Sequence, residues 1–262
     1  MLTIKPIVMK KINYLFLAFL MLSFVKVNAQ GFALGVRGGL SIPNLSAGGS
    51  EQNPLNTGYS SRQGPDVGIF AEYKFSSLFS IQPMIEYSSQ GGKKDGLQAY
   101  PTPAEAAPLF PNGAPPYLYA KFNSEAKLNY LAIPILAKFG WTFKHTPLRL
   151  YVDAGPFVSF LVSAKQVTTG SSPSYLDAGG TQPLPGGAQS FNESTDLKDQ
   201  LHTTNIGFEG NLGLAYIFGN SNIFIEGGGN YGLLNIQKGT ANGKNNTGAA
   251  TITAGYSYWF GK

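Results

Sequence analysis

The sequence contains no cysteine and only two histidines. Without cysteine, the chain holds no disulfide scaffold, no thiol nucleophile and no cysteine-ligated zinc or iron–sulfur site. Charged residues are also scarce, at 13% of the 262 residues, and aromatic residues make up the same 13%. A chain so rich in aromatic side chains and so poor in charge does not have the composition of a disordered protein.

The formal net charge of +5 does not come from a basic surface. Four basic residues and no acidic ones precede residue 30, and the rest of the chain is nearly neutral. These four are Lys5, Lys10, Lys11 and Lys26. The positive charge therefore belongs to a leader, and we expect no nucleic-acid partner.

Residues 1–29 have the pattern of a secretory signal peptide. Two lysines follow Met9, an apolar run covers 14–25, and the small residue Ala29 precedes an expected cleavage before Gln30. Met9 is a candidate for the true start. The apolar run is too short for a transmembrane helix, which needs roughly 20 residues. The alternative interpretation of this segment is a buried N-terminal helix.

Beyond residue 30, apolar side chains recur at every second position, which is the period of a β-strand with one apolar face. Turn-forming residues (Gly, Pro, Asn and Ser) separate the alternating stretches. The pattern predicts eight strands near 32–41, 66–75, 78–90, 127–141, 148–165, 203–218, 222–236 and 249–260.

The predicted connections alternate between short and long. The short ones lie near 76–77, 142–147 and 219–221. The long ones lie near 42–65, 91–126, 166–202 and 237–248. An up-and-down barrel with tight turns at one rim and long loops at the other has this arrangement. A secreted soluble barrel or sandwich is the alternative, since it also alternates.

Aromatic residues gather at the strand ends on the apolar face, beside the short turns: Phe75, Phe79, Trp141 and Phe218. Such rings form girdles at the two interfaces of a bilayer. The chain also closes on an aromatic strand at 256–260. We therefore predict an all-β fold, an eight-stranded antiparallel up-and-down transmembrane β-barrel formed by residues 30–262.

The polar faces of the predicted strands carry both signs of charge. In an eight-stranded barrel these side chains point into a lumen that has room only for side chains. The predicted lumen charge network consists of Arg37, Glu72, Lys74, Glu86, Lys138, Arg149, Asp153, Glu209 and Glu226. Since unpaired buried charges are costly, we expect them to pair, and loss of Arg149 or Asp153 alone to cost roughly 3–5 kcal/mol. A narrow ion pathway is the alternative.

Five segments together resemble the PorT-like outer-membrane β-barrel family. They are 35–41 (GVRGGLS), 81–92 (IQPMIEYSSQGG), 129–134 (NYLAIP), 153–156 (DAGP) and 231–236 (YGLLNI). At Met84 and Ala132 this sequence lacks the acids that the family's pattern has. The resemblance spans essentially all of residues 30–262.

The resemblance implies an integral outer-membrane barrel in a Gram-negative envelope, with short turns and both termini periplasmic and long loops extracellular. The family's founding member is linked to protein secretion by the type IX system. We therefore expect a non-enzymatic structural or accessory component of secretion or envelope assembly. Its expected partners are outer-membrane lipids, the barrel-assembly machinery and other secretion or envelope proteins. The alternatives are a small passive channel and a lipid or peptide hydrolase at the loop rim.

The two histidines offer little for catalysis or metal binding. His145 falls in a predicted short turn, whereas His202 ends a long loop that also holds Ser194, Asp196 and Asp199. A Ser–His or Asp–His arrangement is geometrically possible in that loop, although a polar loop with one helical turn over 194–201 is the simpler interpretation. Because the histidines lie far apart, no metal site is expected.

No cofactor is expected either. Residues 227–232 (GGGNYG) satisfy the G-x-G-x-x-G spacing of dinucleotide-binding loops. A dinucleotide-binding loop needs a helix directly after it, whereas the pattern of this stretch predicts a strand.

The second long loop carries the remaining functional signal. Six prolines lie between residues 101 and 116, accompanied by Phe110, Tyr117 and Tyr119. A stiff loop with aromatic side chains and few charges is a candidate surface for a protein partner. The alternative is a loop that is rigid only to resist proteolysis.

Overall fold

The computed structural model describes residues 31–47, 54–240 and 243–260. The predicted signal peptide at 1–29 lies outside the described residues. No helix in the described part of the chain is both long and apolar enough to cross a membrane.

Eight long strands form the wall of the molecule. Numbered in chain order, they are β1 (Phe32–Ala47), β2 (Gly64–Lys74), β3 (Phe79–Lys94), β6 (Asn123–Thr142), β7 (Leu148–Thr169), β11 (Thr204–Phe218), β12 (Ser221–Gly232) and β13 (Asn245–Phe260). The connections hold the short strands β4 (Leu97–Pro101), β5 (Tyr117–Lys121), β8 (Ser171–Ser172), β9 (Gln189–Ser190) and β10 (Glu193–Asp196). They also hold two 3-10 helices, Ala104–Leu109 and Lys198–Gln200.

The eight wall strands close into a ring in which every neighbouring pair is antiparallel. The first and last strands pair along their whole length, from Phe32 opposite Phe260 to Ala47 opposite Asn245. Closure removes the free strand edges, whose backbone N–H and C=O groups would each cost several kcal/mol if unpaired in hydrocarbon. The predicted eight-stranded antiparallel barrel is confirmed.

The alternation of the sequence becomes the division between the outside and the inside of the barrel. Ile225 is 63% exposed, whereas its neighbour Glu226 is 3% exposed and points inward. The same holds around the ring, so isoleucine, leucine, valine and aromatic side chains form a continuous apolar band outside. An exposed apolar band of this extent needs an apolar surrounding. For a closed barrel, the acyl chains of a bilayer are that surrounding.

Several wall strands extend further at the long-loop end than the sequence pattern predicts, whereas β12 ends at Gly232 instead of near residue 236. β1 continues beyond residue 41 to Ala47, β3 beyond residue 90 to Lys94, and β6 starts at Asn123 instead of near 127. These extensions lie past the apolar band and lack its alternation. They are held by pairing with neighbouring strands, for example Lys94 opposite Ser124. The loops near 42–65 and 91–126 are correspondingly shorter than predicted.

The short connections agree with the sequence pattern. Two tight turns place a residue in the left-handed region of backbone conformation, His145 at φ 62° and Gly219 at φ 57°. In the turn between β2 and β3, the Ser76 hydroxyl accepts hydrogen bonds from the backbone N–H groups of Leu78 and Phe79. His145 therefore serves as a turn residue.

The second and third long loops fold against each other instead of extending freely. We call residues 95–122 and 170–191 the loop cap. Its two hairpins, β4–β5 and β8–β9, are joined where Tyr119 and Tyr175 exchange backbone hydrogen bonds of 2.9 and 2.7 Å. The rings of Phe122 and Phe191 stack with centroids 4.7 Å apart and an angle of 6° between their planes. The two long loops therefore form one folded unit at this end of the barrel.

Candidate functional site

The centre of the lumen is organised around Arg37, which points inward from β1. Its guanidinium donates to Glu86 at 2.5 Å, to Glu209 at 2.7 Å and to Glu226 at 3.2 Å. A fourth carboxylate, Asp66, lies 3.9 Å away. Four strands (β2, β3, β11 and β12) thus each supply one acid to a single arginine, which the planar, five-donor guanidinium can accommodate.

Lys138 of β6 forms a second cationic centre. Its Nζ donates to Gln82 Oε1 at 2.6 Å. The same Nζ lies 3.6 Å from Asp153, 3.8 Å from Glu72 and 3.9 Å from Glu226. Glu226 is therefore shared between Arg37 and Lys138 and joins the two centres into one network.

Neutral donors complete the coordination of the acids. The Tyr151 hydroxyl donates to Glu226 at 2.8 Å, and the Ser80 hydroxyl donates to Glu72 at 2.6 Å. The Asn211 amide donates to both Asp153 and Glu209, at 2.9 and 3.1 Å. Because Glu209 and Glu226 each accept hydrogen bonds from more than one donor, the desolvation cost of these two acids is offset more fully than by ion pairs alone.

An apolar layer inside the lumen was not expected from the sequence. The side chains of Phe70, Met84, Leu136, Tyr151, Ala215 and Phe224 form one buried cluster. Three of these rings surround the ammonium of Lys138, with ring centroids 4.2 to 5.9 Å from Nζ. Cation–π attraction of this kind strengthens when the charge is desolvated. Phe70, Met84 and Phe224 are in phase with the inward acids of their strands, but assigning apolar residues to the outer face by residue type hides this layer.

Two residues of the predicted network lie away from it. Arg149 donates to the backbone oxygen of Ser77 at 3.0 Å, and no carboxylate of the described residues lies within 4 Å of its guanidinium. Lys74 lies over the ring of Trp259, with Nζ 4.0 Å from the centroid. Both belong to the short-turn end of the lumen, where they line one cavity together with Glu72, so the pairing of Arg149 with an acid across the lumen stays a prediction.

The network also has a member that the sequence reasoning missed. Asp66 is fully buried, lies near Arg37 and accepts a hydrogen bond from Ser88 at 3.3 Å. Its position on the polar face of its strand indicates that it points inward. It comes at the start of β2, so only the register with its neighbours shows that it reaches the centre of the lumen.

The lumen is filled along its length. A second buried apolar cluster covers the network on its long-loop side, and it consists of Leu45, Ala126, Leu128, Tyr130, Leu161, Ala164, Leu201 and Ile236. Two cavities among the described residues inside the barrel have volumes of about 10 Å³ beside Glu86 and about 30 Å³ beside Lys74. The first has room for about one water molecule.

The aromatic residues predicted for a partner surface do not gather in one patch. Tyr117 and Tyr119 lie half-buried in β5, and Tyr119 is held by its backbone exchange with Tyr175. Phe110 is half-buried at the end of the first 3-10 helix, and its neighbour Leu109 is 50% exposed. The exposed apolar group at this tip is therefore Leu109.

The residues considered for hydrolysis are not arranged as a triad. Ser194 and Asp196 lie on the exposed strand β10, and Asp199 lies in the second 3-10 helix. Asp196 accepts a hydrogen bond from the backbone of Lys198. In the part of the chain that the structure covers, none of these side chains hydrogen-bonds to the side chain of His202. The 227–232 glycine stretch lies within β12, as expected.

Comparison with known proteins relates the chain to small outer-membrane barrels. The structure is similar to Neisserial surface protein A, at 15% identity and a TM-score of 0.39, with 88% of this chain and 97% of that chain covered. It is also similar to Ail of Yersinia pestis, at 10% identity and a TM-score of 0.35, covering 87% and 99% of the two chains. A third similar structure is the outer membrane protease OmpT of Escherichia coli, at 9% identity and a TM-score of 0.33, covering 89% and 98%.

No curated protein matches the sequence at a significant level. The sequence itself matches the family described as "Outer membrane protein beta-barrel domain" over residues 28–238. This is the broad family, and the PorT-like resemblance stays a prediction. The match covers most of the wall strands and both halves of the lumen network, so the chain belongs to the outer membrane protein β-barrel domain family.

Proposed function

We propose that the protein is a non-enzymatic and non-conducting barrel that anchors the loop cap in the outer membrane. In this role it serves as an accessory component of envelope assembly or protein secretion. The observation that carries the proposal is the folded loop cap on a barrel whose lumen is filled. A folded platform presents a defined surface, whereas free loops must lose conformational entropy on binding.

The filled lumen favours an anchor over a passive channel. Two charge centres and two apolar clusters occupy the interior, and the cavities beside the network hold about 10 and 30 Å³. Conduction needs a continuous hydrated path with sites that an ion can enter and leave. In this lumen, the path would require Arg37, Lys138 and their acids to separate together.

The proposed orientation places the short turns and both termini in the periplasm and the loop cap outside the cell. Outer-membrane barrels have short periplasmic turns and longer extracellular loops. The apolar band then contacts outer-membrane lipids. The barrel-assembly machinery is the proposed partner during biogenesis, through the aromatic last strand β13.

The partner surface is proposed at the tip of the loop cap. Six prolines stiffen the tip, and the Thr102 hydroxyl and backbone N–H both donate to the proline carbonyls of the return strand, at 2.5 and 3.2 Å. Leu109 projects from this tip with half of its surface exposed. A stiff tip with an exposed apolar side chain suits a protein partner because little order must be gained on binding.

Photo-crosslinking in intact envelopes tests the partner surface. A photoreactive amino acid at Leu109 is expected to trap discrete protein adducts, whereas the same group at Lys144, in a short turn at the other end, is expected to give a different set. Identical adducts at both positions, or none at Leu109, would contradict the proposal. Planar-bilayer recordings test the proposal that the barrel does not conduct. Stable unitary currents from the purified barrel would support a channel instead.

A further inference from the structure

A cavity of about 250 Å³ lies at the long-loop mouth of the barrel, above the lumen network. Its floor is formed by Leu128, Leu201 and Ile236 of the second apolar cluster. Its walls come from the ends of the wall strands and from all four long connections. The volume lies just below the ~300–1,000 Å³ of small-molecule sites and well above the ~30 Å³ of one water, so the space suits a compact ligand.

Among the described residues of the lining, one is a cation, Lys94 at the end of β3. Lys94 is 7% exposed, and it lies beyond the apolar band of the wall. Its Nζ donates to the backbone oxygens of Leu55 at 2.7 Å and Pro54 at 3.3 Å, and it lies 4.5 Å from the centroid of the Tyr59 ring. An ammonium has three donors, so two carbonyls leave one for another acceptor.

The residues that the structure describes in the lining of the cavity carry no negative charge to balance this ammonium. Among the described residues that line it, the polar side chains are neutral amides and hydroxyls, and none is an aspartate or a glutamate. No carboxylate of the described residues lies within 4 Å of Lys94 Nζ. Burial accordingly lowers the pKa of Lys94 to about 8. A buried cation without an opposite charge is costly, and an anion bound beside it would offset that cost.

We propose that this cavity binds a small organic anion with an apolar body. The anionic group accepts a hydrogen bond from Lys94 Nζ, and the body lies on the floor formed by Leu128, Leu201 and Ile236. The amides of Gln98, Gln166 and Gln237 at the wall give further donors and acceptors without adding charge. The site would thus discriminate by charge at one end and by shape at the other.

Lys94 is surrounded by few groups that titrate in the same range. The titratable groups of the lining are Lys94 itself and the hydroxyls of Tyr59 and Tyr100. Burial raises the pKa of Tyr59, so this ring stays neutral through the range in which Lys94 loses its proton. The affinity for an anion is therefore expected to fall as pH rises through about 8, whereas the affinity for a neutral isostere should not change.

The full-length mature barrel in lipid nanodiscs is tested with two probes of nearly equal shape, 4-fluorobenzoate and 4-fluorobenzamide. Their binding is followed by fluorine NMR. We expect the wild type to bind the benzoate at least about tenfold more tightly than the amide at pH 7. Lys94→Met is expected to remove this preference. Lys93→Met is the matched control, because the adjacent Lys93 has a side chain 46% exposed and does not line the cavity.

Of the two lysine variants, only K94M is expected to lose the preference for benzoate, and the benzoate affinity of the wild type is expected to decrease between pH 7 and pH 9. Equal affinities for the two probes, equal effects of K93M and K94M, or no binding of either probe would overturn the proposal. Gln200→Trp fills the cavity from its exposed rim and leaves Lys94 in place. It is expected to abolish binding, and it keeps the test decisive if K94M fails to fold.

Discussion

Replacing Arg37 by methionine should destabilise the barrel more than any other single removal of charge in the lumen. Methionine keeps an unbranched apolar stem but removes all five donors. Among the described residues, Glu86 and Glu209 have Arg37 as their only cation within 4 Å. Glu226 retains Lys138 at 3.9 Å. The substitution therefore leaves at least two buried carboxylates without an opposite charge.

The size of the expected stability loss follows from the cost of removing only one partner of a buried ion pair. Removing one partner of a buried pair costs roughly 3–5 kcal/mol, because the remaining charge stays desolvated. That cost corresponds to a decrease on the order of 10²- to 10⁴-fold in the ratio of folded to unfolded protein. Arg149→Met is the matched control. Its guanidinium donates to a backbone oxygen and contacts no described carboxylate within 4 Å, so about 1–3 kcal/mol is expected.

Equilibrium unfolding by urea in lipid vesicles measures both variants under the same conditions. The double variant R37M/E209Q removes the arginine together with one of the carboxylates that would be left without an opposite charge. It should therefore recover part of the stability lost in R37M. Equal losses in R37M and R149M, or no recovery in the double variant, would refute the assignment of Arg37 as the electrostatic centre of the lumen.

Three further outcomes test other parts of the structure. Gly155→Ala should cost about 1–3 kcal/mol in the same unfolding assay, because its Cβ would lie 1.9 Å from the backbone oxygen of Ile135, whereas Gly227→Ala meets no atom within 4 Å and should be neutral. Asp177→Ala should speed hydrogen exchange at 177–182 without changing barrel unfolding, because the Asp177 carboxylate accepts from the backbone N–H groups of 179, 181 and 182. The unfolded state binds more protons than the folded state between about pH 8 and pH 10, since burial lowers the pKa of Lys94 to about 8. The stability of the wild type relative to K94M should therefore rise from pH 7 to pH 10, and a constant difference would contradict the buried position of Lys94.

The lumen was predicted in part. Period-two alternation places Glu86, Asp153, Glu209 and Glu226 on the inner face because successive side chains of a strand point to opposite sides. The same rule also places Phe70, Met84 and Phe224 inward, two residues from Glu72, Glu86 and Glu226. They were missed because apolar residues were assigned to the outer face by residue type. Only the strand register shows that these inward side chains meet in one buried cluster.

The strand ends and the loop cap were predicted least well. Beyond the apolar band the alternation disappears, although hydrogen bonding between neighbouring strands continues. The hairpins β4–β5 and β8–β9 are short and lie in proline- and serine-rich sequence, where local preference favours loops. Their contact at Tyr119 and Tyr175 joins two connections that are distant in the chain, so no local pattern indicates it.

The sequence by itself determined the number of barrel strands and which face of each is apolar, because a two-residue repeat and turn-forming residues are local properties of the chain. Only the tertiary structure decided which cation meets which acid. Arg37 and Glu226 are 189 residues apart and meet because β1 pairs with β13, and β13 with β12, in one fixed register. Closure of the ring sets that register, and closure is a property of all eight strands together.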